Sequence, residues 1–259
     1  MLDLYNYSLP TIFLAGLALI VAASEIGRLL GVRVGKQGGD NASTLEAAVL
    51  GLLALMIGFT FAMALSRFEA RRDAVLNEAN AIGTTALRAR LLREPHRAEV
   101  LKLLREYVQI RLDITQRAAV SQTELRAAID RSNALQEALW QQAAAVSAKD
   151  SSMVPTGLFI QTLNEMIDNQ GKRLAALPNR VPNVVPLVLF GIAAVASAFA
   201  GYASGFEAKR NRLPVYTTGV VVVAVIVLIL DLDRPNAGFI EISQQPMIDT
   251  AANIAAFPN

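Results

Sequence analysis

LEAAVLGLLALMIGFTFAMALSRFEARRD, residues 45–73, decides the fold of this chain. Residues 45–65 carry one charge, Glu46, at their start. At about 1.5 Å per residue they are long enough to cross about 30 Å of hydrocarbon. No proline interrupts the charged residues that follow, and helical spacing continues to Arg93. A helix that leaves the membrane and keeps going makes its two environments mechanically one object. Leu52, Leu55 and Phe59 stand at i, i+3 and i+7 on one face of that helix. A hydrophobic constriction in a pore requires such a face.

Composition agrees with a membrane protein that has a sizeable soluble part. Apolar residues make up 53% of the 259 and aromatics 6%, and the mean hydropathy is +0.39, which speaks against a purely soluble domain. Four windows approach or reach spanning length: residues 10–30, 45–65, 184–203 and 215–230. The absence of cysteine excludes disulfides, thiolate chemistry and Cys-ligated zinc or iron–sulfur sites. A formal charge of +2 is too small over this length to argue for nucleic acid as a partner.

The fold class expected is an all-α membrane protein with four transmembrane helices as two hairpins and a helical soluble insert between the second and third. The boundaries read as 1–66 for the first hairpin, 67–181 for the insert, 182–231 for the second hairpin and 232–259 for a polar C-terminal tail. Ser43 with Glu46 and Ser121 with Glu124 have the spacing of capping boxes. Gly83 marks a possible bend in the long helix, since glycine costs about 1 kcal/mol relative to alanine. Pro95 and Pro155 suit first helical turns, and Val100, Leu103, Leu104, Val108 and Leu112 form one apolar stripe after the first of them. Pro178 and Pro182 stop the insert, and no segment alternates as a strand would.

Residues 1–10 contain Asp3 and no basic run, so the first span does not read as a cleaved signal. Arg28, Arg33 and Lys36 in one short loop, and Lys209, Arg210 and Arg212 in another, favour cytoplasmic loops and an extracytoplasmic insert. Arg67, Arg71, Arg72, Lys172, Arg173 and Arg180 on the insert's flanks pull the other way.

Two segments, residues 58–68 with 78–84 and residues 230–235 with 238–246, resemble the bacterial membrane family called bestrophin-like, whose function is unknown. The resemblance implies a multi-pass protein of the bacterial inner membrane. A more distant similarity leads to the bestrophins, pentameric anion channels whose second membrane helix carries an apolar neck in a Gly-Phe context, followed by a Thr-Arg-aromatic exit. Gly58-Phe59 and Ser66-Arg67-Phe68 are similar to those motifs. The acidic run of the bestrophin calcium clasp has no counterpart after the fourth span, so calcium is not carried over, and no other cofactor is implied.

The site residues that follow are a pore neck of Leu52, Leu55 and Phe59 and a basic pore mouth at Arg67 and Arg71. For the neck the alternative is ordinary packing or lipid contact; for the arginines it is interfacial anchoring. Asp231, Asp233 and Arg234, at the exit of the fourth span, could bind a cation or clasp the tail, with an intrachain Asp–Arg clasp preferred. Two carboxylates are few for calcium. Glu25 and Arg28 are spaced to pair on one helix face. Glu69, Asp73 and Glu78 read as a salt-bridged face, His96 as a solvated helix start and Trp140 as a packing residue of the insert. No phosphate loop, H-E-x-x-H or G-x-S-x-G pattern is present, so no catalytic or metal-binding residue is assigned and the chain does not read as an enzyme.

Small residues crowd the third span, including Gly191, Ala194, Ala198 and Gly201, and permit close helix approach. Residues 67–180 hold 17 basic and 13 acidic side chains, a leaning toward anions. Two functions remain: a homo-oligomeric ion channel whose partners are its own copies, the lipid bilayer and small inorganic ions, or a non-conducting sensor or scaffold whose insert binds a partner.

Overall fold

The computed structural model describes residues 3–34, 39–116, 121–150, 152–206, 213–235 and 238–258, with side chains in the second helix described from residue 44. Lys36, Lys209, Arg210, Arg212 and the side chain of Ser43 lie outside the described residues.

Every described element is helical. A 3-10 turn, Leu4–Asn6, precedes α1 (Leu9–Val34) and α2 (Gly39–Ala89). Then follow α3 (His96–Gln116), α4 (Gln122–Ser147), a π turn at Met153–Gly157, α5 (Leu158–Ala176), α6 (Val184–Gly205), α7 (Leu213–Asp233) and α8 (Gln245–Ala255). Helices α1, α2, α6 and α7 are long and apolar enough to cross a membrane. The helical insert lies between the second and third of them. Helix α2 runs 51 residues as one element, continuing through Gly83 without a break. A Cβ there would meet only the Thr250 methyl at 3.8 Å.

The chain divides into two compact units. The first comprises residues 1–68 and 179–241. In it α1 and α6 run side by side in the same direction at backbone contact. A Cβ on Gly27 would fall 2.0 Å from the Ala198 carbonyl oxygen, and one on Gly201 would fall 2.0 Å from that of Ser24. Small residues four apart on both helices permit this approach, which in lipid gains dispersion contact and no hydrophobic burial. Leu9, Ile12, Ile20, Leu53, Leu189, Phe190, Val223 and Ile226 fill the rest of this core.

The second unit comprises residues 69–178 and 242–259. Its core holds Ile82, Leu104, Tyr107, Leu139, Phe159, Leu163 and Met166, and the whole expected stripe of α3 is buried. Ser121 and Glu124 form a full capping box at the start of α4, an arrangement that contributes about 1 kcal/mol to a helix. Residues 242–259 are not a polar appendage. Met247 and Ile254 of α8 belong to this core, the guanidinium of Arg105 donates to the Phe257 carbonyl at 2.7 Å, and Arg90 stacks over the Phe257 ring at 4.8 Å. The apolar side of α8 supplies surface that the insert's own helices leave open.

Candidate functional site

Within the first unit α2 has two different sides. Leu53, Thr60 and Ala64 are buried against the chain, and the Thr60 hydroxyl donates to the Met56 carbonyl at 2.7 Å, which removes its polar cost. Leu52, Leu55 and Phe59 face away from the chain's own packing, 50%, 56% and 64% exposed. Leu52 also edges a shallow apolar groove of about 410 Å³ floored by Gly191 and Ile192 of α6.

The two arginines assigned to the mouth behave differently from that side. Arg71 is 3% exposed, a poor place for a charge meant to meet passing ions. Arg67 is half-buried, and its field reaches Tyr5. A basic ring built on Arg71 is therefore set aside, because the helix turns that residue inward.

Asp231, Asp233 and Arg234 come together with the N-terminal turn and the start of α6. Asp233, fully buried, accepts the Val181 backbone N–H at 2.6 Å and a hydrogen bond from the Tyr5 hydroxyl. Arg234 donates to the backbone carbonyls of Leu4 at 3.2 Å and Tyr7 at 2.7 Å. Asp231 accepts from the Phe239 N–H at 2.9 Å. Its carboxylate lies where a Cβ on Gly238 would have to be, 1.9 Å away. The preferred Asp–Arg pairing is thus corrected. Each side chain grips a separate stretch of backbone, because buried N–H and C=O groups at these chain crossings need partners more than the charges need each other. Burial, then the bond to Asp233, raises the Tyr5 phenol above its ordinary range. Burial lowers Arg234, and Asp231 acts against that. No group of three or more His, Asp or Glu side chains suited to a metal occurs among the described residues.

Glu25 and Arg28 do pair, at 3.5 Å, and the Tyr216 hydroxyl of α7 also bonds Glu25.

In the insert, Glu78 does not lie on a solvated face. It is fully buried, with Arg111 Nε at 2.8 Å and Arg173 Nη1 at 2.7 Å. The Tyr107 hydroxyl lies 3.0 Å from its carboxylate and 2.7 Å from Gln170 Oε1. Arg173 continues to Gln244 at 3.1 Å. Burial pushes the Glu78 carboxyl up, but Arg111 and Arg173 together outweigh it and hold the group below its usual range. His96 opens α3 as expected but is half-buried and not solvated, with Nδ1 2.8 Å from Gln142 Oε1, and Trp140 is 40% exposed. Sequence reasoning missed the Glu78 hub because its partners, Arg111 and Arg173, lie 33 and 95 residues away.

A family model for the bestrophin-like domain matches residues 13–247. The chain belongs to the bestrophin-like family. Solved relatives share the fold of this bestrophin-like protein. The crystal structure of a bacterial bestrophin homologue from Klebsiella pneumoniae, phased on zinc, matches with a TM-score of 0.67 at 15% identity, covering 96% of this chain and 99% of that one. Two single-substitution forms of it match with TM-scores of 0.70 and 0.68 at 14% identity, covering 95% and 96% of this chain and 97% and 96% of theirs. No curated protein matches the bestrophin-like chain in sequence.

Proposed function

We propose that copies of this chain assemble into a ring, five in number as the bestrophin resemblance implies, that conducts small inorganic ions across the bacterial inner membrane. Leu52, Leu55 and Phe59 of α2 line the axis as a hydrophobic neck. The carrying observation is the two-sidedness of α2, with one side packed at Leu53, Thr60 and Ala64 and the other leaving three large apolar side chains half exposed or more. In a ring, that second side meets its counterparts and closes a passage that water wets poorly. No calcium step is part of this reading, since two carboxylates after the fourth span are few for that ion. The leaning toward anions rests on the insert's 17 basic against 13 acidic residues, without Arg71, which is buried. The insert is placed outside the cytoplasm, on the strength of Arg28 and Arg33 at the far end of α1. Labelling a cysteine introduced at Gln122 with an impermeant reagent in intact cells tests that side.

Ion flux through purified protein in liposomes tests the function. Phe59→Ala, which widens the ring and lowers the dewetting barrier, should conduct more than wild type. No flux from either protein across several ions and voltages would overturn the reading and leave the non-conducting scaffold.

A further inference from the structure

Within the insert, α3 and α4 pack side by side and leave a cavity of about 260 Å³ between them. Helix α3 lines it with Ile110, Asp113 and Ile114, spaced i, i+3 and i+4 on one face. Helix α4 lines it with Glu124, Ala127, Ala128 and Arg131, again on one face. The two alanines leave open the space that larger side chains would fill. Ile110 is buried and Ile114 half-buried, whereas Asp113, Glu124 and Arg131 are exposed. The cavity therefore has an apolar floor and a charged rim that carries both signs. Asp113 and Arg131 do not neutralise each other, since neither is in an ion pair among the described residues. Asp113 accepts from Gln109 Nε2 at 2.9 Å through Oδ1. Glu124, which closes the α4 cap through Oε2, adds a second carboxylate to the rim.

We propose that this cavity binds a small zwitterion with an apolar side chain, of the class of the aliphatic α-amino acids. Sites for drug-sized ligands begin at roughly 300 Å³, so this smaller space takes a molecule of a few heavy atoms. Arg131 holds the carboxylate, to which a guanidinium offers paired donors. Asp113 holds the ammonium, with Glu124 contributing to the field at the same rim. Both charges of an α-amino acid sit at one end of the molecule, which matches a rim that holds all the charge. Its side chain then lies on Ile110 and Ile114 beneath. Burial of that side chain supplies affinity that exposed charges alone do not. The site lies wholly within the insert and is independent of the neck on α2.

Equilibrium dialysis of full-length protein in detergent against tritiated L-leucine is the test. Wild type should take up leucine saturably, one molecule per chain. Asp113→Asn and Arg131→Gln should each weaken binding about tenfold, the scale of one charge-assisted hydrogen bond. Glu137→Gln, on α4 but off the cavity, should leave the affinity unchanged. All three positions are exposed, so the variants should elute as wild type does. On wild type alone, isocaproate, which lacks the ammonium, and leucinamide, which lacks the carboxylate, should fail to displace leucine. Absence of saturable uptake, displacement by either single-charge analogue as effective as by leucine itself, or full affinity in either cavity variant would overturn the proposal. Each of those results leaves the channel reading standing, since that reading is decided by the flux of wild type and Phe59→Ala.

Discussion

Arg173 donates from Nη1 to Glu78 Oε2 at 2.7 Å, joining residues 95 positions apart in the buried centre of the insert. Arg111 holds the same carboxylate from the other side at 2.8 Å, so α2, α3 and α5 meet at one anion. Desolvating three charges costs more than their attraction returns unless the hydrogen bonds are nearly complete. Tyr107, Gln136, Gln170 and Asn133 extend the set. The hub therefore acts as a register pin: its geometry is met in one arrangement of the helices.

Glu78→Gln keeps the shape and removes the charge, leaving two guanidinium groups buried without their counter-ion. The insert should lose about 3–5 kcal/mol of stability, the scale for breaking a buried pair from one side. Denaturant unfolding followed by the fluorescence of Trp140, the sole tryptophan, measures this. An unchanged midpoint would show that the hub contributes no net stability.

The same group sets an acid dependence. Its carboxyl is held below the ordinary value of 4.5 in the folded protein, so its contribution is fully present above that value. It is lost as pH falls through the folded value. The stability difference between wild type and Glu78→Gln should accordingly be constant at neutral pH and shrink below about pH 4.5. A difference that stays level into strong acid would place the stabilisation elsewhere.

Gly201→Leu should break the α1–α6 pair, because the first added carbon lies 2.0 Å from the Ser24 carbonyl oxygen and backbone cannot withdraw as a side chain can. Overpacking costs about 1–3 kcal/mol even where side chains can move, so purified yield should collapse. Gly191→Ala, with nothing within 4 Å of the new carbon, should elute as wild type.

Asp233→Ala strands the Val181 N–H and leaves the Tyr5 hydroxyl only the Val181 carbonyl, at 3.1 Å, and should cost about 1–3 kcal/mol. Tyr5→Phe removes the hydroxyl that Asp233 and the Val181 carbonyl share, leaves the Val181 N–H bonded, and should cost about 1 kcal/mol. Thermal unfolding in detergent separates the two, and equal midpoints for all three proteins would deny the knot a structural role.

Local chemistry made much of this legible in sequence. Four apolar runs, the proline-free exit of α2, the Ser121 cap and the stripe from Val100 to Leu112 each depend on neighbours within a few residues, and bestrophin-like motifs flank two of the spans. The face carrying Leu52, Leu55 and Phe59 was also readable, since helical period alone places them together. Tertiary structure decided which side of α2 is packed, and with it that Arg71 is buried while Asp73 is exposed. It also decided that Glu78 is a core residue, that α8 completes the insert, and that Asp233 and Arg234 hold backbone rather than each other. The physical reason is the same in each case. Burial and ion pairing depend on partners brought from distant parts of the chain, and the period of a helix fixes the angle between two of its residues without saying which of them faces the rest of the protein.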